Sequence, residues 1–523
     1  MTYNDSSSDL EKQPVKAGDN DTTPTATARH TTTSFADNTG AVPGESFEYG
    51  NSVYARLQRF AGRFNVEQRG IERVPEDERT DDKYGLLNAG TMWLSANMVV
   101  SSFAIGVLGK SLFYLGFVDA ILVVLFFNLL GTLPVCFFST FGPHFGLRQM
   151  VLSRFWFGWY GVKLIAVFNV LACIGWSSVN AIVGAQLLHS VNTSVPGWAG
   201  IVIIALLTLA ITVFGYKIVH AYEFWSWIPT FVVFLIVLGV FARSGDFVNL
   251  PMAVGTSELG GVLSFGSVVF GFSTGWSSVS ADYTVYHSAA RSKPALFLAT
   301  WLGLIVPLLF TETLGVAIMT ATSLNISPNA YATGYSSAVL LPLGTFGRFC
   351  LVMLALSIVA NNCPNIYSIG LTVQVLSRRT QAVPRYVWTV AGSAVYIAIA
   401  IPGYTHFETV LENFMNFIGY WLAIYEAVAL VEHFVFRRGF AGYDVTCYDC
   451  PERLPPGLAA IGAFGCGIAG MVLGMSQVWF VGPVALHAGE APYGGDVGFE
   501  LGFAFAATAY MVLRPVELRY FRR

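Results

Sequence analysis

The chain has 523 residues, of which 54% are hydrophobic and only 12% charged, with a net charge of −3 and a mean hydropathy of +0.57. Soluble domains carry about 25% charged residues, so an ordinary soluble protein is excluded, and nothing in the charge indicates nucleic acid as a partner. Apolar runs of the roughly 17–25 residues needed to cross a bilayer recur along the chain. They predict an all-α polytopic membrane protein with twelve transmembrane helices.

Two different segments precede the first apolar run. Residues 1–50 are rich in Ser, Thr, Asp, Gly and Pro, a composition that predicts a disordered tail. No signal-peptide pattern opens the chain. Residues 51–85 interleave aromatic residues with arginines, which is typical of an amphipathic segment lying on a membrane surface.

The distribution of basic residues predicts the orientation. When the loops are assigned alternately to the two sides, Lys and Arg concentrate on the side of the tail, and only Lys110, Arg243 and Arg348 fall on the other. The positive-inside rule therefore predicts a multi-pass protein with both termini in the cytoplasm. The expected organisation is a ten-helix core at 86–435, a cytoplasmic loop at 436–455, two additional transmembrane helices at 456–514 and a cytoplasmic C-terminus at 515–523.

Two of the predicted spans contain a disrupted segment. The sixth span runs into "GFSTGWSSVSADYTVY", and it can be split near Gly271–Gly275; the comparable weak point of the first span is Ser101–Gly106. Backbone groups freed in a bilayer cost several kcal/mol each unless the protein interior satisfies them. Interrupted spans at corresponding positions of two halves are typical of the midplane site of a transporter.

Other interpretations of the glycine-rich segment compete with a binding site. Gly271 and Gly275 fit the small-residue pattern of helix packing, and the hydroxyl groups could bond back to the preceding turn. The same letters spell G-x-S-x-G, with Ser273 as the nucleophile of a membrane hydrolase, although the required strand–turn–helix setting is missing. The accumulation of Ser273, Thr274 and Trp276 beside the break favours a binding site.

The third span carries a polar stripe. Asn169, Cys173, Trp176, Asn180 and Gly184 recur at helical spacing and share one face. Asn169 could equally belong to a hydrogen-bonded seam between helices. Trp176 and Asn180 offer a flat ring and an amide one turn apart, and both are predicted to bind substrate.

The eighth span, "LALSIVANNCPNIYS", adds further amides. Pro364 lacks an N–H and predicts a kink. Ser357, Asn361 and Asn365 lie on one face, and Asn362 is rotated by about 100°. Asn361 and Asn365 are therefore the preferred ligand candidates, whereas Asn362 could serve the backbone that the proline frees.

Acidic residues within the spans are functional candidates by default. Asp282 lies nearest the sixth-span break, and Asp282 and Glu312 are the candidates for proton coupling. Asp282 could instead cap a helix or pair with Arg291 or Lys293. The acidic residues within or near the spans are Asp119, Glu223, Glu258, Asp282, Glu312 and Glu426.

These motifs, together with "ACIGWSSVNAIVGAQLL", "FGYKIVHAYEFWSWIP" and "ENFMNFIGYWLAIYEA", closely resemble the fungal purine–cytosine permeases of the nucleobase–cation symporter-1 family. The resemblance covers about residues 65–523. It implies a five-plus-five inverted repeat with broken helices 1 and 6, followed by two extra helices. It also implies proton-coupled import of adenine, guanine, hypoxanthine and cytosine across the plasma membrane.

The resemblance also assigns roles to individual residues. It implies substrate contacts by Trp176, Asn180, Trp276 and Ser102, and by an eighth-span asparagine that matches Asn361, Asn362 or Asn365. The bacterial hydantoin transporter of the family holds sodium partly with adjacent Ser and Thr in its eighth helix, where this chain offers only Ser357. A proton therefore fits better than sodium as the coupling ion.

Other cargoes and other classes of protein are alternatives to nucleobase transport. A ring stacked on an aromatic side chain gains about 1–3 kcal/mol, and this fits a flat heterocycle, so pyridoxine is an alternative cargo. A membrane serine hydrolase is a remote alternative, and an ion channel lacks rings of like charge. Cys447 and Cys450 form a lone CxxC, and neither a metal nor a cofactor is expected. The oligomeric state cannot be predicted.

Overall fold

The computed structural model describes residues 53–80, 83–252, 254–321 and 332–522. The predicted disordered tail at 1–50 lies outside them. Helices make up most of this part of the chain, and a short antiparallel hairpin pairs β1 (Ser476–Gln477) with β2 (Phe480–Val481). In chain order, the helices are α1 (Val53–Gly62), α2 (Gly85–Asn97), α3 (Val100–Ser111), α4 (Phe117–Ser139), α5 (Phe141–Phe145), α6 (Gln149–Val191), α7 (Gly197–Thr212), α8 (Tyr216–Ser244), α9 (Thr256–Thr274), α10 (Lys293–Met319), α11 (Ala332–Leu340), α12 (Thr345–Val375), α13 (Arg378–Gln381), α14 (Arg385–Gly403), α15 (Phe407–Val431), α16 (Leu458–Gly474), α17 (Pro483–His487) and α18 (Gly498–Phe521).

Every predicted span coincides with helical structure. Eight helices of the described chain are long and apolar enough to cross a membrane, and the bent pair α2–α3 makes a ninth. The helices are consistent with twelve spans, because the remaining predicted spans fall on the shorter helices α7 and α16 and on α9, which stops at a break. The predicted spans lie in order on α2–α3, α4, α6, α7, α8, α9, α10, α12, α14, α15, α16 and α18.

Helix α12 lies at the centre of the bundle and packs along α6. The most apolar stretch of α12 is 78% buried, compared with 28% for those of α8, α14 and α18. Helix α6 has 43 residues and is interrupted at Gly158, where φ is +70°. A Cβ atom at Gly158 would lie 2.4 Å from the carbonyl oxygen of Pro455, so this conformation and this contact both require glycine. The third span is therefore the part of α6 that follows Gly158.

The first span is broken, but not where the sequence predicts. Helix α2 ends at Asn97, α3 begins at Val100, and the two helices meet at an angle of 52°. The predicted weak point, Ser101–Gly106, is regular helix, so that prediction was wrong. A Cβ atom at Gly106 would lie 1.9 Å from the carbonyl oxygen of Glu312. This glycine therefore allows α3 to pack closely against α10.

The sixth span is broken within the predicted window. Helix α9 ends at Thr274, and turns starting at Gly275 lead into a 3-10 helix, Ser280–Tyr283. Gly271 lies inside α9, and a Cβ atom on Gly419 of α15 would approach its Cα to 3.2 Å. The break thus begins at Gly275. Gly271 instead allows α9 to pack closely against α15, as the alternative interpretation predicts.

Helices lie near both ends of the described chain. Helix α1 covers only part of the amphipathic segment, and a short 3-10 helix, Glu76–Glu78, lies between α1 and α2. Helix α18 passes through Pro515 and continues to Phe521, and the boundary between membrane and cytoplasm at 514 stays a prediction.

The segment between α1 and α2 is held to the bundle by Glu67. Its carboxylate lies 3.0 Å from Arg148 and 3.7 Å from Arg385, two arginines that are almost fully buried. Burial alone would raise the pKa of Glu67, but the charges of Arg148 and Arg385 outweigh it and hold the pKa below its ordinary value. This carboxylate also accepts hydrogen bonds from the backbone N–H of Tyr216 and from the hydroxyl groups of Tyr286 and Tyr367.

Candidate functional site

Side chains of α12 satisfy the backbone at the break of the first span. The hydroxyl oxygen of Ser357 accepts from the N–H of Val100 at 3.3 Å, and the amide of Asn361 donates to the carbonyl of Ala96 at 2.6 Å. These are backbone groups that the interrupted helix leaves without a local partner. The broken helix is therefore tolerated because a neighbouring helix supplies the missing hydrogen bonds.

The two broken spans are joined by a hydrogen bond between side chains. Asn97, the last residue of α2, accepts the indole N–H of Trp276 at 3.1 Å. The amide group of Asn97 donates to the carbonyl of Trp93 at 2.8 Å, and the rings of Trp93 and Trp276 lie 5.5 Å apart. The indole of Trp276 is thus fixed by a hydrogen bond at one edge and by ring packing.

A small cavity lies beside these breaks. The ring of Trp176 packs edge-on against Phe272 and Phe414, with both centroid distances 5.4 Å. Gly275 exposes bare backbone here, and a Cβ atom on it would lie 3.6 Å from the indole nitrogen of Trp176. The cavity therefore combines aromatic rings with two amides, and its lining residues are Trp176, Phe272, Gly275, Trp276, Asn361 and Asn365.

Two polar groups of the lining residues keep their hydrogen-bonding capacity. The amide group of Asn365 donates to the backbone carbonyl of Asn361 at 3.0 Å. Within the described part of the chain, the amide oxygen of Asn365 and the indole N–H of Trp176 take part in no hydrogen bond. The cavity thus has at least this acceptor and this donor available to a ligand.

Asn180 lies behind the cavity and does not line it. Its amide oxygen accepts from the hydroxyl of Ser101 at 2.6 Å. Its amide group donates to the amide oxygens of Asn361 at 2.6 Å and Asn362 at 3.0 Å. Asn362 itself donates to the carbonyl of Ser177 on α6 at 3.4 Å, so it links two helices and does not serve the backbone freed by Pro364.

The three other hydroxyl candidates also stand outside the cavity wall. Ser102 donates to the carbonyl of Asn97 at 2.6 Å. Ser273 bonds back to the carbonyls of Val269 and Phe270, as the local interpretation of that segment predicts. Thr274 donates to the carboxylate of Glu426 on α15.

Asn169 belongs to a seam between helices. Its amide donates to Thr372 at 2.8 Å, and its oxygen accepts from Ser278 at 2.7 Å. The structural alternative for this residue is confirmed.

The two carboxylates predicted for proton coupling are both buried. Asp282 accepts from the backbone N–H of Gln149 at 2.8 Å and from Ser368 at 3.1 Å, and thereby caps the start of α6. Glu312 accepts from the amide of Asn128 at 2.6 Å, between α10 and α4. Neither residue lines the cavity, and their role in coupling stays a prediction.

Sequence reasoning missed several residues around this site. Asn97 could have been noticed as an amide in an otherwise apolar run, and Ser101 as the neighbour of Ser102. Phe272 was missed because an apolar residue in a membrane span carries no distinguishing signal. Phe414 was missed for the same reason.

The chain was compared with known protein families and proteins. Residues 73–493 match the family model described as permease for cytosine/purines, uracil, thiamine, allantoin. The purine-cytosine permease fcyB of Emericella nidulans is 66% identical over 94% of this chain and 97% of its own length. The purine-cytosine permease FCY2 of Saccharomyces cerevisiae is 45% identical, and the vitamin B6 transporter TPN1 of that yeast is 31% identical. The FCY2 match covers 89% of both chains, and the TPN1 match covers 90% of both.

Solved structures show the same fold at low sequence identity. Mhp1, a nucleobase-cation-symport-1 family transporter, superposes in its closed conformation with bromovinylhydantoin bound at a TM-score of 0.67 and 14% identity. This match covers 87% of this chain and 96% of Mhp1. The inward-facing conformation of Mhp1 gives a TM-score of 0.61 at 15% identity, over 87% of this chain and 95% of that one. The predicted fold class is thereby confirmed.

Proposed function

Because the chain belongs to the family of permeases for cytosine/purines, uracil, thiamine and allantoin, we propose that it imports adenine, guanine, hypoxanthine and cytosine across the plasma membrane together with a proton. Import proceeds by alternating access, with both termini in the cytoplasm. Family membership makes the chain a membrane transporter and not an enzyme, so the hydrolase interpretation of Ser273 was wrong.

The observation that carries this proposal is the cavity with aromatic walls, a free donor and a free acceptor. A nucleobase is a flat ring whose edge presents donors beside acceptors. Stacking on an aromatic side chain contributes about 1–3 kcal/mol, and an amide paired with the ring edge about 1–3 kcal/mol of discrimination. Micromolar binding needs about −8 kcal/mol, which these contacts can approach once the buried ring area is added.

The geometry supports distinct roles for the candidate residues. The indole N–H of Trp176 and the amide oxygen of Asn365 are proposed to pair with the ring edge of the base. The ring of Trp276 supplies a stacking surface, and Asn361 forms part of the cavity wall. Asn180 is proposed to act through Asn361, to which it is bonded.

The remaining candidates take supporting roles in the proposal. Ser102 supports the turn at Asn97. Ser273 and Thr274 shape the end of α9, and Asn362 joins α12 to α6. None of these four residues needs to contact the base.

A proton is proposed as the coupling ion. Hard cations require several oxygen ligands, and the hydroxyl of Ser357 is already bonded to Leu354 and Val100. A proton that enters down a potential of 100 mV provides about 2.3 kcal/mol. The sequence indicates Asp282 and Glu312 as candidate proton acceptors.

Vitamin B6 is the second candidate cargo. The 31% identity to a vitamin B6 transporter spans 90% of both chains, and pyridoxine is also a flat heterocycle with polar edges. The aromatic walls of the cavity would accept either ring. The two cargoes differ in the pattern of donors and acceptors that Trp176 and Asn365 must match.

Uptake by a yeast that lacks its own nucleobase transporters tests the proposal. We expect the chain to restore accumulation of radiolabelled cytosine and adenine, and a protonophore to abolish accumulation against a gradient. Excess unlabelled hypoxanthine should compete, whereas pyridoxine should not. Accumulation of pyridoxine without uptake of cytosine would show that vitamin B6 is the cargo. Accumulation that resists the protonophore would show that a proton is not the coupling ion.

A further inference from the structure

A buried carboxylate lies one side chain away from the cavity wall. Glu426, on α15, is only 2% exposed, and it accepts a hydrogen bond from the hydroxyl of Thr274. Thr274 is the last residue of α9, and Gly275, which follows it, lines the cavity. The carboxyl group of Glu426 is therefore connected directly to the point at which the sixth span breaks.

Glu426 has no cationic partner. No ion pair of the described residues includes it. The hydroxyl of Thr274 donates to it, and the hydroxyl of Ser277 is a second neutral neighbour. An ionised carboxylate that is buried without a counter-charge costs several kcal/mol, so burial in this arrangement favours the neutral acid.

The charged groups on the elements packed against α15 stand apart from Glu426. Helix α16 has no charged residue. The others lie in the terminal parts of their helices or are already paired, as Arg148 is with Glu67, Arg154 with Asp449, and Glu432 with Arg514 and Arg437. Among the side chains that the structure describes, these groups are Glu258 on α9; Asp282 after it; Arg148, Arg154, Lys163 and His189 at or on α6; Asp496, Glu500, Arg514, Glu517 and Arg519 at or on α18; and Glu432, His433 and Arg437 after α15.

The other buried carboxylates are less suited to a coupling role. Asp282 caps α6 through the N–H of Gln149, so its oxygen is committed to the fold. Glu312 is bonded to Asn128, and its backbone packs against Gly106. Neither has a direct hydrogen bond to a residue next to the cavity wall.

We propose that Glu426 carries the coupling proton and that its bond to Thr274 links its protonation state to the break of the sixth span. This inference rests on the proposed function, in which a proton is the coupling ion. Glu426 takes a proton from water when the site opens to the outside. It returns the proton to water when the site opens to the cytoplasm. One O–H bond forms and later breaks, and no other covalent bond changes.

Thr274 couples the protonation of Glu426 to the conformation at the break of the sixth span. A neutral carboxylic acid can accept from the Thr274 hydroxyl through one oxygen while the other oxygen holds the proton. A carboxylate offers acceptor sites only, and its hydrogen bond to the hydroxyl is charge-assisted and stronger. The hydrogen bond that holds the end of α9, next to Gly275 in the cavity wall, therefore differs in strength between the two protonation states.

The test compares isosteric variants of the full chain in the transporter-deficient yeast, with surface expression followed by a fluorescent tag. For Glu426→Gln, which imitates the neutral acid, we expect exchange of internal for external cytosine to persist. Net accumulation should fall to the equilibrium level and lose its dependence on external pH and on a protonophore. Glu426→Asp keeps a titratable group and should retain proton-driven accumulation at a lower rate. Glu76→Gln, at an exposed carboxylate outside the spans, is the control and should concentrate cytosine as the unmodified chain does, whereas Glu312→Gln tests the rival assignment of the proton.

The outcomes separate this inference from the proposed function. If the unmodified chain accumulates cytosine without regard to pH or protonophore, the proposed coupling ion is wrong. If the unmodified chain is proton-driven and Glu426→Gln still concentrates cytosine with the same pH profile, Glu426 is not the carrier. Loss of coupling in Glu312→Gln but not in Glu426→Gln overturns the inference as well. Should Glu426→Gln fail to reach the surface, Glu426→Asp decides, because accumulation at the rate of the unmodified chain contradicts the inference.

Discussion

The amide oxygen of Asn97 accepts the indole N–H of Trp276 at 3.1 Å. This contact joins the last residue before the break of the first span to the second residue after the end of α9 in the sixth span. Asn97 itself does not line the cavity, whereas Trp276 does. The orientation of an aromatic wall of the site is therefore set from the opposite half of the repeat.

Replacing Asn97 by alanine should weaken substrate binding without removing any substrate contact. A neutral hydrogen bond contributes about 1 kcal/mol, so we expect the KM for cytosine to rise about fivefold at similar surface expression. Trp276→Phe removes the other half of the same bond and should have an effect at least as large. Because the two changes remove one interaction, the double variant should be less impaired than the sum of the single changes, and fully additive losses would contradict the coupling.

Asn365 and Asn362 provide a matched pair on α12. Asn365→Ala removes the free acceptor of the cavity, and we expect the KM for cytosine to rise about 10- to 100-fold, which corresponds to roughly 1–3 kcal/mol. Asn362→Ala breaks a link between helices, so it should lower the amount of folded protein and leave the KM close to normal. Uptake kinetics normalised to surface expression check both. Equal increases in KM would show that the assignment of Asn365 is wrong.

The adjacent serines of the first span should behave differently. Ser101 holds the amide of Asn180, which in turn holds Asn361 at the cavity, so Ser101→Ala should raise the KM for cytosine by about fivefold, the equivalent of one hydrogen bond. Ser102 bonds to the carbonyl of Asn97, and Ser102→Ala should lower thermal stability more than affinity. The measurements are uptake kinetics and melting in detergent; a larger KM effect for Ser102→Ala reverses the assignment.

Glu67→Gln should destabilise the folded protein. The change leaves Arg148 and Arg385 buried without their counter-charge, and breaking a buried pair costs about 3–5 kcal/mol. Melting of the detergent-solubilised protein measures the loss. Glu76, whose side chain is 71% exposed beside Arg73, is the matched control, and Glu76→Gln should change stability by less than about 1 kcal/mol.

The contribution of Glu67 to stability should also depend on pH in a defined direction. Since the pKa of Glu67 is lowered in the folded state, its contribution is fully present above the pKa of the unfolded chain. The contribution is lost as the pH falls through the lower, folded value. Melting temperatures of the unmodified chain and of Glu67→Gln should therefore differ by a constant amount near neutral pH and converge in acid. A difference that grows on acidification contradicts this sign.

Gly106→Ala tests the packing of the first span. The added Cβ atom would lie 1.9 Å from the backbone of Glu312, which cannot move aside as a flexible side chain can, so we expect little protein at the surface. Gly239→Ala on α8 is the control, because a Cβ atom there meets no other atom within 4 Å. Normal surface expression of Gly106→Ala would contradict the close approach of α3 and α10.

The features that could be predicted from the sequence are those with a local signature. Hydrophobic runs located the spans, the glycine at 275 marked the second break, and the tryptophans at 176 and 276 were found by their position beside polar residues. Each of these patterns is complete within about one helical turn or one span. The structure places both tryptophans at the same cavity.

The features that could not be predicted depend on contacts between distant parts of the chain. The break at Met98–Val99 contains neither glycine nor proline, and it is satisfied by Ser357 and Asn361, which lie more than two hundred residues later. The direction of Asn180 depends in the same way on Ser101 of another helix. No periodicity within a single span reports such partners.

The contacts of Glu67 have a consequence for how this face of the molecule can open. One acidic group binds two guanidinium groups and two phenols that come from four separate segments of the chain, so those segments cannot separate one at a time without exposing a charge. The short segment before the first span therefore keeps these parts of the chain together. Shortening the chain past this residue would leave like charges facing each other where the helices meet.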